Sequence, residues 1–333
     1  MVQAIQFRGS SSGKVVQTTA QLPNVQPDEV LVRVTDSGLC GSDLHFLKVS
    51  LVLGHEGIGV VEKTGPACKQ LKAGDRVGWG PVNSTCTTCD MCMRGRDAYC
   101  PNAKTYGAEG YDTQGSICSY AVRKEQWLFK IPDGIPSIDA APLMCGGATV
   151  WVPLVEHCRP YDRVGIVGIG GLGHLAIQFA AKMGCDVVVL SSTEDKRGEA
   201  MKLGANEFYA TKGVSDYAEL GVAKLLNKLI ITTSAKFNLG IFYPILARNA
   251  NIIPLSVDFG DLTAPYLPTV VQGNSIVGSC ISSRHPQKQM LDFAARHKIS
   301  STVEQYPMTL EGVTEAVERL QRGEMRYRGV LSW

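Results

Sequence analysis

The sequence predicts an α/β fold in two parts, a β-rich module first and a doubly wound parallel sheet after it. Three observations carry that expectation. Up to about residue 150 the chain runs in short β-branched stretches broken by Gly and Pro, namely DEVLVRVTDSG, GIGVVEKTG, GDRVGWG and SYAVRKEQWLFKIPDG, the spacing of a compact barrel or sandwich. Beyond about residue 160 strand-like and helix-like segments alternate, as parallel strands joined by helices do. At the first strand-to-helix junction of that alternation lies a cluster of glycines.

In the second part RVGIVG is an apolar strand, and LGHLAIQFAAKMG carries Leu172, Leu175, Phe179 and Met183 at helical spacing with Gly184 placed to end the helix. DVVVL is the next strand, followed by a helix to Leu203 with Gly204 behind it. NKLIITT, ANIIPLSV and NSIVGSC read as further strands, and the tail adds two amphipathic helices, PQKQMLDFAARHK and TLEGVTEAVERLQRG, then a strand-like RYRGVLSW. The glycines Gly168, Gly170, Gly171 and Gly173, with Leu172 among them, spell G-x-G-G-x-G between strand and helix. Such a turn lets backbone N–H groups and a helix N-terminus meet a pyrophosphate, so it marks a dinucleotide site.

The end of the following strand separates the two nicotinamide cofactors. An acid there suits the ribose 2′-OH of NAD. This chain has Ser191 and Ser192, with Lys196 and Arg197 one turn on. Hydroxyls and cations suit a 2′-phosphate, so NADP(H) is the expected cofactor. Glu194 and Asp195 offer the opposite reading, or serve as first-turn helix acids.

The 333 residues, 44% hydrophobic, suffice for about two domains with sizeable cores. A net charge of +2, with both signs interspersed, gives no field for nucleic acid or an anionic membrane. No run approaches the roughly 18 apolar residues of a membrane span, and the N-terminus lacks an apolar leader core, so a cytosolic (cytoplasmic) protein without membrane or nucleic-acid partners is expected. Four of the 11 cysteines crowd into CTTCDMCMRGRDAYC, which favours metal ligation over disulfides.

Those four, Cys86, Cys89, Cys92 and Cys100, satisfy a tetrahedral Zn²⁺ completely and leave no open position, which makes the site structural. An iron–sulfur cluster or a zinc ribbon is the rival reading of the same spacing. A second set, Cys40, His55 and Cys145, offers one His and two Cys, the donors of an open zinc site that can act as a Lewis acid. Glu56 adjoins His55 as a carboxylate able to approach that metal, Asp43 is placed to accept the other ring N–H of His55, and Ser42 and His45 are placed to move a proton.

Taken together, GLCGSDLH, LGHEGIG, the four-cysteine stretch, APLMCGGATVW, GIGGLGHLAIQFAAKMG and the terminal MRYRGVL resemble the zinc-dependent medium-chain dehydrogenase/reductase (alcohol dehydrogenase) family, and within it the NADP-dependent cinnamyl alcohol dehydrogenase-like group. The resemblance spans nearly the whole chain. It implies a GroES-like catalytic domain over 1–148 with a structural zinc lobe at about 80–105, a Rossmann NADP-binding domain over 149–283, and a return to the catalytic domain over 284–333. It implies two zinc ions per chain, the catalytic one on Cys40, His55 and Cys145 beside Glu56, and the structural one on Cys86, Cys89, Cys92 and Cys100. Ser42 and His45 fall on the family's proton relay, Thr149 where a residue packs on the nicotinamide, and Arg328 where an arginine reaches the cofactor phosphates.

The implied reaction is reversible hydride transfer between NADP(H) and an aldehyde or primary alcohol, aromatic or unsaturated, in a homodimer. Two rival functions stay open, an NADPH-dependent reductase of a conjugated C=C or iminium bond and a non-catalytic dinucleotide-binding protein. Trp79 and Trp151 are candidate pocket walls. Two departures from the family stand out: only FLKVS separates His45 from Leu51, and ARNANIIPLSV lacks the usual preceding glycine pair.

Overall fold

A computed structural model describes residues 2–236 and 238–333 of the chain. In chain order the first unit contains β1 (Gln3–Arg8), β2 (Val16–Gln21), β3 (Glu29–Leu39), α1 (Gly41–Leu44), β4 (Glu56–Thr64), β5 (Arg76–Trp79), β6 (Val82–Ser84), α2 (Asp90–Met93), β7 (Lys104–Thr105), β8 (Tyr120–Lys124), β9 (Phe129–Lys130) and α3 (Ser137–Pro142). A π-helical turn, Leu143–Gly147, then leads into α4 (Ala148–His157). The second unit continues with β10 (Arg163–Val167), α5 (Gly173–Lys182), β11 (Asp186–Ser191), α6 (Arg197–Leu203), β12 (Glu207–Ala210), β13 (Leu226–Ile231), β14 (Leu246–Pro254), α7 (Tyr266–Gln272) and β15 (Ser275–Ile276). The chain closes with α8 (Arg284–His297), β16 (Val303–Pro307), α9 (Leu310–Gln321) and β17 (Arg328–Ser332). By contact density the two compact units are Met1–Ala148 with Ile281–Trp333, and Thr149–Cys280.

In the first unit the strands order as β16-β17-β3-β4-β5-β9, with β8 also paired to β3. All pairs are antiparallel except β16 with β17. The C-terminal strand therefore lies beside Gly38 and Leu39, immediately before Cys40. Among the described residues, apolar clusters of this unit gather around Phe7, Leu39, Leu53 and Leu331, around Val32, Val61, Val77 and Trp79, and around Ala4, Leu22, Leu31 and Val122. The sequence pattern does not single out β1 and β2, which form a two-stranded sheet; β1 also bridges Cys118 and Val52 and is largely buried, whereas β2 is mostly exposed and carries no apolar alternation.

The second unit is an all-parallel sheet ordered β12-β11-β10-β13-β14-β15, the 3-2-1-4-5-6 order of a doubly wound fold. β10 is buried along its whole length, which explains why RVGIV reads as a continuous apolar run. The strand order reverses between β10 and β13, and the glycine turn leaves β10 at that switch. Gly184 and Gly204 follow α5 and α6 at φ +91° and +112°, the left-handed geometry that ends a helix most easily with glycine. Inside β14, at the irregularity between Leu246 and Asn251, Asn249 takes φ +59°, a region Asn tolerates better than most side chains.

One sequence expectation needs correction. Ser137–His157 is helical for 21 residues and apolar enough by length and composition to cross a membrane. Of its apolar window 83% is buried in the fold, so that apolarity serves packing.

Candidate functional site

Cys40 closes β3 and caps α1 with extended backbone. Three residues on, Asp43 is fully buried, and its Oδ2 accepts the Cys40 N–H at 2.8 Å, as an acid at the third helical position does in a capping box. Its Oδ1 accepts the Gly54 N–H at 3.1 Å and faces His55 Nδ1 at 3.1 Å. One carboxylate thus ties the Cys40 loop to the His55 loop and, with Nδ1–H donating, leaves Nε2 as the ligating nitrogen. Asp43, singled out from the sequence among the catalytic candidates, holds other groups in place.

Cys145 arrives on the π-helical turn, a wide turn often found at functional sites. Glu56 opens β4, and a Cβ at Gly38 would lie 2.0 Å from its Oε2, so the glycine in GLCGSDLH makes room for this carboxylate. One ligand atom from each of Cys40, His55, Glu56 and Cys145 lies within 4.8 Å of every other. Tetrahedral zinc with bonds of about 2.0–2.3 Å spaces its donors roughly 3.3–3.8 Å apart, so the set fits one ion. Glu56 Oε1 accepts from Arg328 Nη2, but its Oε2 is buried without a hydrogen-bond partner, as is Arg328 Nε. A buried carboxylate oxygen without a partner calls for one, and a cation on the Oε2 side would supply it.

The four buried groups act strongly on one another. Burial lifts the Glu56 carboxyl to about 7, with Arg328 opposing. A hydrogen bond from Cys145, together with the Arg328 charge, holds the Cys40 thiol well below its ordinary value, and the same hydrogen bond holds the Cys145 proton in place. For His55 burial opposes protonation, but Asp43 and Cys40 outweigh it and raise the imidazole.

In the lobe between β6 and β7, Cys86 Sγ lies 3.5 Å from Cys100 Sγ and 4.0 Å from Cys92 Sγ. With Cys89 included, all four sulfurs lie within 4.8 Å of one another, which brackets the roughly 3.8 Å edge of a tetrahedral zinc tetrathiolate. N–H groups of Thr88 and Cys89 hold Cys86 down to about 5, whereas burial pushes Cys92 up to about 12.

Ser42 Oγ stands 3.9 Å from Cys40 Sγ. The exposed His45 caps the C-terminus of α1 one turn later, its N–H donating to the Ser42 carbonyl at 3.3 Å. The shortened FLKVS segment forms a turn against Gly9 and Ser10, whose N–H groups bond the Leu51 and Leu47 carbonyls. Trp79 is no pocket wall: it is 1% exposed, stacked under Arg123 and packed where a Cβ at Gly57 would clash. Trp151 is likewise buried, its ring 5.4 Å from that of Phe179.

In the second unit Gly168 has φ +92°, and a Cβ at Gly173 would sit 2.0 Å from the Gly168 carbonyl oxygen, so helix α5 can start against β10 only with glycine there. Leu172 is the N-cap of α5, and Gly171 precedes it half-buried. A Cβ at Gly170 would meet nothing within 4 Å, which leaves a face of the turn open to a pyrophosphate. Thr149 lies in the first turn of α4, buried. Ser191 ends β11 buried, and Ser192 is exposed. Lys196 Nζ donates to the Ile169 carbonyl at 2.8 Å, which brings its charge to the glycine turn. Glu194 is held by Arg197 at 2.6 and 2.9 Å, and Arg197 in turn stacks on Phe208 at 4.8 Å.

Sequence reasoning missed Tyr106 and Ser116. Tyr106 OH accepts the Gly54 N–H at 3.1 Å with its ring 4.8 Å from His55, and Ser116 Oγ accepts the Glu56 N–H at 3.2 Å. Neither carries a spacing signal. Arg328 was expected at cofactor phosphates, and its guanidinium rests on Glu56; a buried acid in LGHEGIG called for such a cation.

Comparison with known proteins adds an independent line. Residues 26–133 match the family described as Alcohol dehydrogenase GroES-like domain, and residues 171–296 the one described as Zinc-binding dehydrogenase. The chain is 34% identical over 317 residues to Cinnamyl alcohol dehydrogenase 8 of Arabidopsis thaliana, covering 91% of this chain and 87% of that protein. It is 33% identical over 336 residues to NADP-dependent alcohol dehydrogenase C 1 of Mycolicibacterium smegmatis, covering 97% and 95%. A solved cinnamyl alcohol dehydrogenase from Sorghum bicolor superposes with a TM-score of 0.92 at 29% identity, covering 99% of this chain and 98% of that one.

Proposed function

Because the chain belongs to the zinc-dependent medium-chain alcohol dehydrogenase family, with cinnamyl alcohol dehydrogenase-like relatives, we propose that it interconverts an aldehyde and a primary alcohol with NADP(H) and zinc. The observation that carries the reading is the convergence of Cys40, His55, Glu56 and Cys145 on one point, with Asp43 fixing the imidazole. When bound, zinc supplies a Lewis acid for the carbonyl oxygen and the nicotinamide supplies hydride. The chain's own residues do the rest. Asp43 orients His55, and Arg328 pairs with Glu56 and opposes the burial that lifts its carboxyl. Ser42, next to Cys40, and His45, exposed at the end of α1, move the proton between the substrate oxygen and solvent.

The same reading assigns the cofactor's 2′-phosphate to Ser191, Ser192 and Lys196. The pairing of Glu194 with Arg197 supports this, because it occupies the carboxylate that would otherwise serve a ribose hydroxyl. Thr149 packs on the nicotinamide and Gly168 to Gly173 cradle the pyrophosphate. An aromatic or unsaturated aldehyde is the proposed substrate class. A homodimer is proposed through the edge of the parallel sheet, supported by the exposed Tyr266, Leu267, Val270 and Val271 on α7 next to β15. The 11 unbridged cysteines suit a reducing cytoplasm.

The test is the initial rate of cinnamaldehyde reduction with NADPH and, separately, NADH. Fast turnover with NADPH alone supports the reading. Equal use of NADH removes the 2′-phosphate assignment, and a saturated carbonyl product in place of an alcohol moves the chemistry to C=C reduction.

A further inference from the structure

We infer that Tyr106 is a positioning residue through which the four-cysteine lobe steadies His55. The inference rests on the reading of Cys40, His55 and Cys145 as metal ligands. The lobe enters from β6 and leaves through β7, and these two strands pair, Val82 with Thr105 and Ser84 with Lys104. Tyr106 follows β7 directly, and its N–H donates to the Pro81 carbonyl at 2.7 Å. The hairpin that closes the lobe therefore also fixes the backbone of Tyr106.

Its side chain points at the other cluster. The hydroxyl accepts the same Gly54 N–H that Asp43 Oδ1 accepts, each at 3.1 Å. The ring lies 4.8 Å from the His55 ring at 34°, and edge-on to Phe46 at 5.1 Å. The following residue, Gly107, has φ +83°, and a Cβ there would fall 2.3 Å from Phe46 Cζ, so the turn carrying Tyr106 closes on Phe46 only with glycine. His55 is thus held by Asp43 at its edge and by Tyr106 on its face. Four sulfurs drawn together by a metal keep the ends of the hairpin closed, and the hairpin holds Tyr106 against His55.

The probe is Co²⁺ loaded into the full-length protein at both sites. Thiolate-to-cobalt absorption distinguishes the sites, and release to a chelator is timed at each. In Tyr106→Phe the Cys40/His55/Cys145 site should lose Co²⁺ roughly tenfold faster, the usual scale for an outer partner of a ligand, while release from the lobe stays unchanged. Cys92→Ser, which disables the lobe, should accelerate release from the same site, and that acceleration should largely vanish in a Tyr106→Leu background, as coupled sites require. Equal release rates in Tyr106→Phe and the parent would overturn the inference, as would equal acceleration at both sites or an undiminished Cys92→Ser effect in Tyr106→Leu. Should Cys92→Ser fail to fold, Tyr106→Phe alone decides. A parent protein that takes Co²⁺ only into the lobe overturns the ligand reading itself, a result visible before any variant is made.

Discussion

Asp43→Asn is the sharpest perturbation of the candidate site. The carboxylate serves three donors: Cys40 N–H at 2.8 Å, Gly54 N–H at 3.1 Å and His55 Nδ1–H at 3.1 Å. An amide has one oxygen. If that oxygen keeps Gly54 and His55, the NH₂ group faces the Cys40 N–H, and one buried donor is left unpaired at about 1–3 kcal/mol. The two surviving bonds lose their charge assistance, about another 0.5–1 kcal/mol each, because bonds to charged acceptors exceed neutral ones by roughly that much. The sum is about 2–5 kcal/mol, in a fully buried position where solvent screening is small. Metal affinity at Cys40, His55 and Cys145 should fall about 10- to 100-fold, because the imidazole loses its fixed orientation. Denaturant melts of the metal-free protein read the first effect, and zinc competition with a chromophoric chelator reads the second. A variant with the parent's midpoint and the parent's zinc affinity would refute the reasoning. Equal loss at the four-cysteine site would show general loosening and refute the local account.

Four further outcomes follow from the geometry. Gly170→Ala should melt like the parent, since its Cβ meets nothing, yet bind NADPH weakly by fluorescence titration; Gly173→Ala, with its Cβ 2.0 Å from a carbonyl oxygen, should lose both stability and binding. Lys196→Ala should raise the NADPH Kd about 10- to 100-fold, the scale of a lost charge-assisted bond, while Arg197→Ala, engaged by Glu194 and Phe208, should change it little. Glu207 is held below the usual carboxylate range first by Arg163 and then by Tyr209. Its folded value is depressed, so its stabilisation is present above the unfolded value of about 4.3 and lost as pH falls through the folded value, and the melting difference between parent and Glu207→Gln should shrink from pH 7 to pH 3. Arg328→Met should leave Glu56 buried without a cation, and NADPH-dependent turnover should then fall with a changed pH profile, checked by initial rates from pH 5 to 9.

Much of the site was legible because its chemistry is local. The four lobe cysteines lie within fifteen residues, and the glycine turn is read off one strand–helix junction. Asp43 and His55 sit only 12 residues apart, so a helix turn and a loop suffice to bring them together. Glu56 and Arg328 are 272 residues apart, and only the pairing of β17 with β3 brings Arg328 next to the Cys40 loop. Tyr106 reached His55 through a two-residue strand, too short to leave a periodic trace. Trp79, a candidate pocket wall from the sequence, is buried because its partner on β4, Gly57, has no side chain and leaves room for the ring in the core. The short β12 and the mostly exposed β2 lack the alternation that marks a half-buried strand.

The most direct measurement is metal content per chain by native mass spectrometry, on the parent, Cys145→Ser and Cys92→Ser. The account predicts two zinc ions in the parent and one in each variant, with NADPH-dependent aldehyde reduction lost in Cys145→Ser. A parent with a single zinc, or with iron in the four-cysteine lobe, would contradict it, and so would a Cys145→Ser variant that keeps both zinc ions.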